Sequence, residues 1–106
     1  MTALMNTFDD GLKPGQRQAV MAVLASEPNI KTAILYGSRA MGRYRPGSDI
    51  DLTLVGELDN KTLNRVSTAL DDFLLPFAFD LSVWDQIDND QLREHIKRVG
   101  VEFYSA

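Results

Sequence analysis

Residues 37–52 read GSRAMGRYRPGSDIDL, and the order of chemistries along this stretch decides how the chain is read. It opens on Gly37-Ser38, directly after the β-prone run Thr32-Ala33-Ile34-Leu35-Tyr36, and closes on Asp49-Ile50-Asp51-Leu52, where acidic and apolar residues alternate. Alternation with a period of two places Ile50, Leu52 and Leu54 on one face of a strand. Asp49 and Asp51 fall on the other, with Cα atoms about 6.5 to 7 Å apart. The sequence therefore predicts strands over 32–36 and 50–55. Between them, three Gly, one Pro and three Arg predict a short helical turn followed by a loop.

Two carboxylates on one strand face can converge on a single cation. Gly37 has no side chain to keep a phosphate from the backbone, and Ser38 opens the turn with a hydroxyl and free N–H groups that can donate to it. Arg39, Arg43 and Arg45 add positive charge to the same segment. The plainer reading of the stretch is a strand-to-helix turn with solvated arginines, followed by solvent-facing acids. The glycine spacing Gly37-x4-Gly42 imitates a P-loop, but Arg43-Tyr44 stand where that motif needs Lys and Ser or Thr.

Outward from this stretch, Pro14 can sit in the first turn of a helix over about 14–26, with Ala19, Val20, Val23 and Leu24 on one stripe. Asp59 or Asn60 can cap a second helix in which Leu63, Val66, Leu70 and Leu74 recur at helical spacing until Pro76 closes it. A third strand over 77–84 places Phe77, Phe79, Leu81 and Val83 on one face and Asp80 on the other, with Ala78 and Ser82. If that strand adjoins the second, Asp80 completes a group of three carboxylates. Two divalent ions about 3.5 to 4 Å apart would more than neutralise them and would suit a nucleoside triphosphate. Asp85 is the alternative third acid. A last helix over about 88–99, with Leu92, Ile96 and Val99 inward, precedes an edge strand at 101–104. The expected fold class is α/β (α+β): one small domain over 14–104, a short mixed sheet flanked by helices, after a flexible N-terminus over 1–13.

Composition narrows the chemistry. With 106 residues the chain has material for one core and no second, substrate-clamping domain. It has no Cys and one His, His95, which excludes thiolate zinc sites and two-His motifs and leaves oxygen ligands and Mg²⁺-like ions. His95 reads as solvated or partly packed, and Trp84 and the Phe cluster as core or partner interface. With 11 basic and 15 acidic residues and a net charge of −4, tight sequence-independent nucleic-acid binding is not expected. The start of the chain lacks a signal-peptide pattern, and the apolar run 73–79 is broken by Pro76, so neither export nor a membrane span is expected. A reducing cytoplasm fits the absence of Cys.

Gly37-Ser38, ten intervening residues and Asp49-x-Asp51 together resemble the signature of the DNA polymerase beta-type nucleotidyltransferase superfamily. At this length, with Arg39, Arg45 and Ser48 around the motif, the chain is similar to the minimal nucleotidyltransferases, antitoxin-like partners of HEPN-domain proteins. The resemblance implies a polymerase beta-like palm fold. It further implies that Gly37 and Ser38, with Arg39, Arg45 and Ser48, bind the nucleotide, while Asp49, Asp51 and Asp80 bind two Mg²⁺ ions and carry catalysis. The implied activity is transfer of AMP from ATP to a tyrosine of a HEPN toxin in a hetero-oligomer, silencing the toxin. Two alternatives stand beside it: a non-catalytic antitoxin that blocks the toxin sterically, and a nucleotidyltransferase acting on a small molecule of the aminoglycoside type.

Overall fold

The apolar halves of the alternating runs all turn to one side of a sheet. In a computed structural model, which describes residues 10–106, Thr32–Tyr36 (β1), Ile50–Val55 (β2), Phe79–Val83 (β3) and Val101–Ser105 (β4) form one four-stranded sheet. The order is β3-β2-β1-β4, with β1 antiparallel to both β2 and β4, and β2 parallel to β3. A parallel pair cannot be closed by a hairpin. The crossover from β2 to β3 is the helix Asn60–Asp71 (α2), and Pro14–Ala25 (α1) packs beside it. The helix Asp90–Val99 (α3) leads into β4.

Ala33 and Leu35 of β1, Ile50, Leu52 and Leu54 of β2, Val83 of β3 and Phe103 of β4 meet Val20 and Leu24 of α1 and Val66 and Leu70 of α2 in one core. Phe77, Phe79 and Leu81 reach the core only in part, because β3 is an edge strand. The helix starts are fixed locally: the Asp59 carboxylate accepts the Thr62 N–H at 2.8 Å, and the Asn89 side-chain oxygen accepts the Leu92 N–H at 3.0 Å. Among the described residues no helix is long and apolar enough to cross a membrane.

Two expectations change. Leu74 does not continue the inward stripe of α2, since the helix stops at Asp71 and Leu74 turns to a φ of 52° and 88% exposure. Helical spacing carries a side chain inward only while the backbone stays helical. Of the N-terminal segment expected to be flexible, residues 1–9 lie outside the described residues, but Asp10 is 1% exposed and built into the fold. Its Oδ1 accepts from Arg17 Nη2 at 2.6 Å and from the Leu12 N–H at 3.0 Å.

Candidate active site

The sheet face opposite the core carries the acids. Asp51 is the register partner of Asp80 on parallel β3 and of Tyr36 on antiparallel β1, so alternation puts all three on the same side. Asp49 stands immediately before β2 and acts electrostatically on Asp51. Asp49 and Asp80 are exposed, while Asp51 is partly buried between them and Tyr36. Burial, followed by the charges of Asp80 and Asp49, pushes the Asp51 carboxyl up to about 6. Among the described residues no three carboxylate, imidazole or thiolate groups stand close enough together to hold a metal ion. Asp85, the alternative acid, lies in the 3-10 turn Trp84–Gln86 beyond the far end of β3 and does not join the group.

Gly37 ends β1 with a φ of 77°, and a Cβ there would run into Asp51 Oδ2. Only glycine gives the chain both the left-handed turn and the room beside this carboxylate. The expected helical turn is a single one: the Met41 N–H donates to the Gly37 carbonyl at 3.1 Å and the Arg43 N–H to the Ser38 carbonyl at 2.8 Å. The Ser38 hydroxyl makes no hydrogen bond among the described residues. Ser48 shapes the second half of the loop, its Oγ accepting the Arg45 N–H at 2.8 Å while its own N–H donates to the Arg45 carbonyl at 2.9 Å. Replacing Gly37 by Ala should destabilise the fold by about 1 to 2 kcal/mol through backbone strain and displacement of Asp51, read by thermal unfolding.

The arginines divide. Arg43 and Arg45 are exposed, and their side chains make no hydrogen bond or ion pair among the described residues. Arg39, expected from the sequence to face phosphate, is instead 1% exposed, with its guanidinium turned onto backbone carbonyls of Asp10, Pro46 and Ser48. The reason is tertiary: the Phe77 and Tyr44 rings pack against it, their centres 4.8 and 5.1 Å from the guanidinium carbon.

Of the hydroxyls on the acidic face, sequence reasoning placed Ser82 beside Asp80 but missed Tyr36 and Thr53. Tyr36 is 7% exposed, and burial raises its pKa; the nearby Ser82 hydroxyl partly offsets this, and the Asp80 and Asp51 charges add to it. Thr53, fully buried, and Ser82 are register partners one step along from Asp51 and Asp80, and neither hydroxyl oxygen has a well-formed hydrogen bond among the described residues. Their place was readable by extending the two-residue period from the acids. The helix α3 closes this face, with Ile96 2% exposed and the His95 ring edge-on to Tyr36 at 6.2 Å. His95 is thus partly packed rather than free.

The Asp51 carboxyl makes stability depend on pH. An acid whose native pKa lies above its unfolded value near 3.8 holds its proton more tightly when folded, so the native state is favoured at low pH. That advantage is lost as pH rises through the window from 3.8 to about 6. In divalent-free buffer, Asp51→Asn should unfold a few degrees above wild type at pH 7, corresponding to about 1 kcal/mol for a solvent-screened group. The gain should vanish near pH 4, a difference read from paired melting curves. A gain that persists unchanged at pH 4 would rule out this titration as its source.

Comparison with known proteins bears on the fold and the family. A Haemophilus influenzae protein named "Probable protein adenylyltransferase MntA" is 35% identical over 72 residues, 66% of this chain and 62% of the relative, so the match spans less than two thirds of that protein's length. A solved chain described as a "putative minimal nucleotidyltransferase" superposes with a TM-score of 0.66 at 26% identity, covering 91% of this chain and 97% of the other. A chain in the solved complex of a tri-AMPylated Shewanella oneidensis HEPN toxin with an MNT antitoxin superposes with a TM-score of 0.66 at 17% identity, over 90% and 74% of the two chains, and so shares the fold. The family model "Polymerase beta, Nucleotidyltransferase" matches residues 18–106, from within α1 to the end of the chain and across every residue of the acidic site, and the chain belongs to that nucleotidyltransferase family.

Proposed function

We propose that the chain transfers AMP from ATP to a tyrosine hydroxyl of a HEPN toxin, neutralising it, and that it works in the cytoplasm as part of a complex with that toxin. The observation that carries this reading is the register pairing Asp51 with Asp80, at the sheet end where Gly37 and Ser38 leave β1. The name of the Haemophilus relative and the AMPylated toxin in the Shewanella complex support the reaction and the acceptor.

The residues fit Mg²⁺. Asp49, Asp51 and Asp80 form an all-oxygen donor set, and a cation would offset both the burial and the repulsion from Asp80 and Asp49 that raise the proton affinity of Asp51. These three would hold two Mg²⁺ ions, which when bound neutralise the triphosphate and ease ionisation of the acceptor hydroxyl. Gly37 admits the β- and γ-phosphates to the backbone and Ser38 donates its hydroxyl to them. Arg45, which the Ser48 turn holds at the rim, and Arg43 offset charge on the pyrophosphate. Arg39 acts from beneath the loop. In the transfer, the tyrosine oxygen bonds to the α-phosphorus, the bond to the bridging oxygen of the β-phosphate breaks, and pyrophosphate leaves. The phenolic proton passes to the Asp80 carboxylate, the most exposed base on the acidic strand pair.

Incubation with α-labelled ATP, Mg²⁺ and a purified HEPN toxin should put label on toxin tyrosine, release pyrophosphate and abolish toxin activity. Toxin inhibition without label would replace the reading with steric antitoxin action. Efficient labelling of an aminoglycoside with no protein partner would replace it with small-molecule transfer.

A further inference from the structure

A buried cation is costly unless its donors are satisfied, and Arg39 has no carboxylate partner among the described residues. Its charge is met by main-chain oxygen. Nε and Nη2 both donate to the Ser48 carbonyl, at 3.0 and 2.9 Å, Nη2 also donates to the Pro46 carbonyl at 3.2 Å, and Nη1 donates to the Asp10 carbonyl at 2.9 Å. These contacts join segments far apart in sequence. Arg39 follows Ser38 directly, Ser48 immediately precedes Asp49, and Phe77, stacked on the guanidinium, comes three residues before Asp80. Asp51 and Asp80 are held by the strand ladder, but Ser38 and Asp49 lie outside any strand.

We propose that Arg39 is a positioning residue for nucleotidyl transfer: from inside the fold it locks the Ser38 turn to the Asp49 approach and sets their spacing across the acidic face. This rests on the nucleotidyltransferase reading of the site. Positioning depends on the planar fork, which reaches three carbonyls at once; an ammonium keeps the charge but not that geometry. Direct phosphate contact would depend on charge, and Lys would preserve much of it.

Arg39→Lys is therefore the test. Its kcat for toxin labelling should fall at least about tenfold, with KM for ATP changed less than about threefold. By hydrogen exchange, the Met41 and Arg43 amides should exchange at least about tenfold faster, while those of β1 and β2 keep their protection. Wild-type kcat in Arg39→Lys, or a raised KM alone, would overturn the proposal. So would faster exchange throughout the sheet, the mark of a merely structural residue. If Arg39→Lys does not fold, Gly11→Ala takes its place, because at Gly11, where φ is 84°, a Cβ would press on both the Tyr44 ring and Arg39 Nη1, and the three atoms nearest to it all belong to these two side chains and none to the acidic face. If the wild-type chain labels no toxin, the transfer reading fails on its own; the exchange pattern and calorimetric binding of Mg²⁺-ATP still decide the clamp, since loosened loop amides with ATP affinity kept support it and unchanged amides overturn it.

Discussion

Exchanging Asp49 and Asp51 together for Asn should abolish AMP transfer, lowering kcat/KM by at least about a thousandfold, while the apo protein stays as stable as wild type or becomes more so. The two effects have one cause. Asp51 is held beside Asp80 by strand register and feels Asp49 as well, so in the absence of a cation the three negative charges work against the fold. Asn keeps the size and a carbonyl oxygen but removes the charge, which relieves the apo protein and weakens its hold on Mg²⁺. Wild type should therefore gain thermal stability on addition of Mg²⁺-ATP, and the double variant should gain little. Parallel melting curves and labelling assays decide it. Undiminished transfer by a folded double variant would remove these carboxylates from the chemistry and leave the steric reading.

Much of this was legible in the sequence because the deciding patterns are local. Alternation through Ile50-Asp51-Leu52 sorts core from site with no knowledge of neighbours, and the cap at Asp59 states where α2 begins. Register was not legible. That Asp80 stands beside Asp51 follows from the α2 crossover making β2 and β3 parallel, which a strand pattern alone does not specify. The misreadings share a form. Arg39 belongs by sequence to a cationic loop, yet tertiary contacts with Tyr44, Phe77 and Asp10 draw it inside. Leu74 keeps the helical spacing but falls past the point where the backbone leaves the helix. Composition and period report what a residue favours alone, whereas burial of a cation or reversal of a turn is decided by partners distant in the chain.

Asp80→Ala should separate binding from chemistry, with kcat reduced at least about a hundredfold and affinity for ATP changed only a few-fold. Asp80 is exposed on an edge strand, whereas Asp51 is partly buried between it and Tyr36. The exposed carboxylate is the one an incoming tyrosine meets, and its part grows as the phenolic oxygen attacks; Gly37, Ser38, Asp49 and Asp51 keep their hold on the nucleotide. The variant also carries a signature independent of turnover. Asp80 is the larger of the two charges raising the Asp51 carboxyl, so its removal should lower the Asp51 pKa from about 6 toward the ordinary carboxylate range, a shift that carbon-detected NMR can follow in the apo protein. Loss of turnover together with that shift places Asp80 at the reacting atoms. Near-normal turnover with the shift present would leave Asp80 as a neighbour that tunes Asp51 and no more, and Asp85 could not take over, since it lies beyond the opposite end of β3. The proton would then pass to another acceptor, and Asp49 and Asp51 are the carboxylates this chain still presents beside that face.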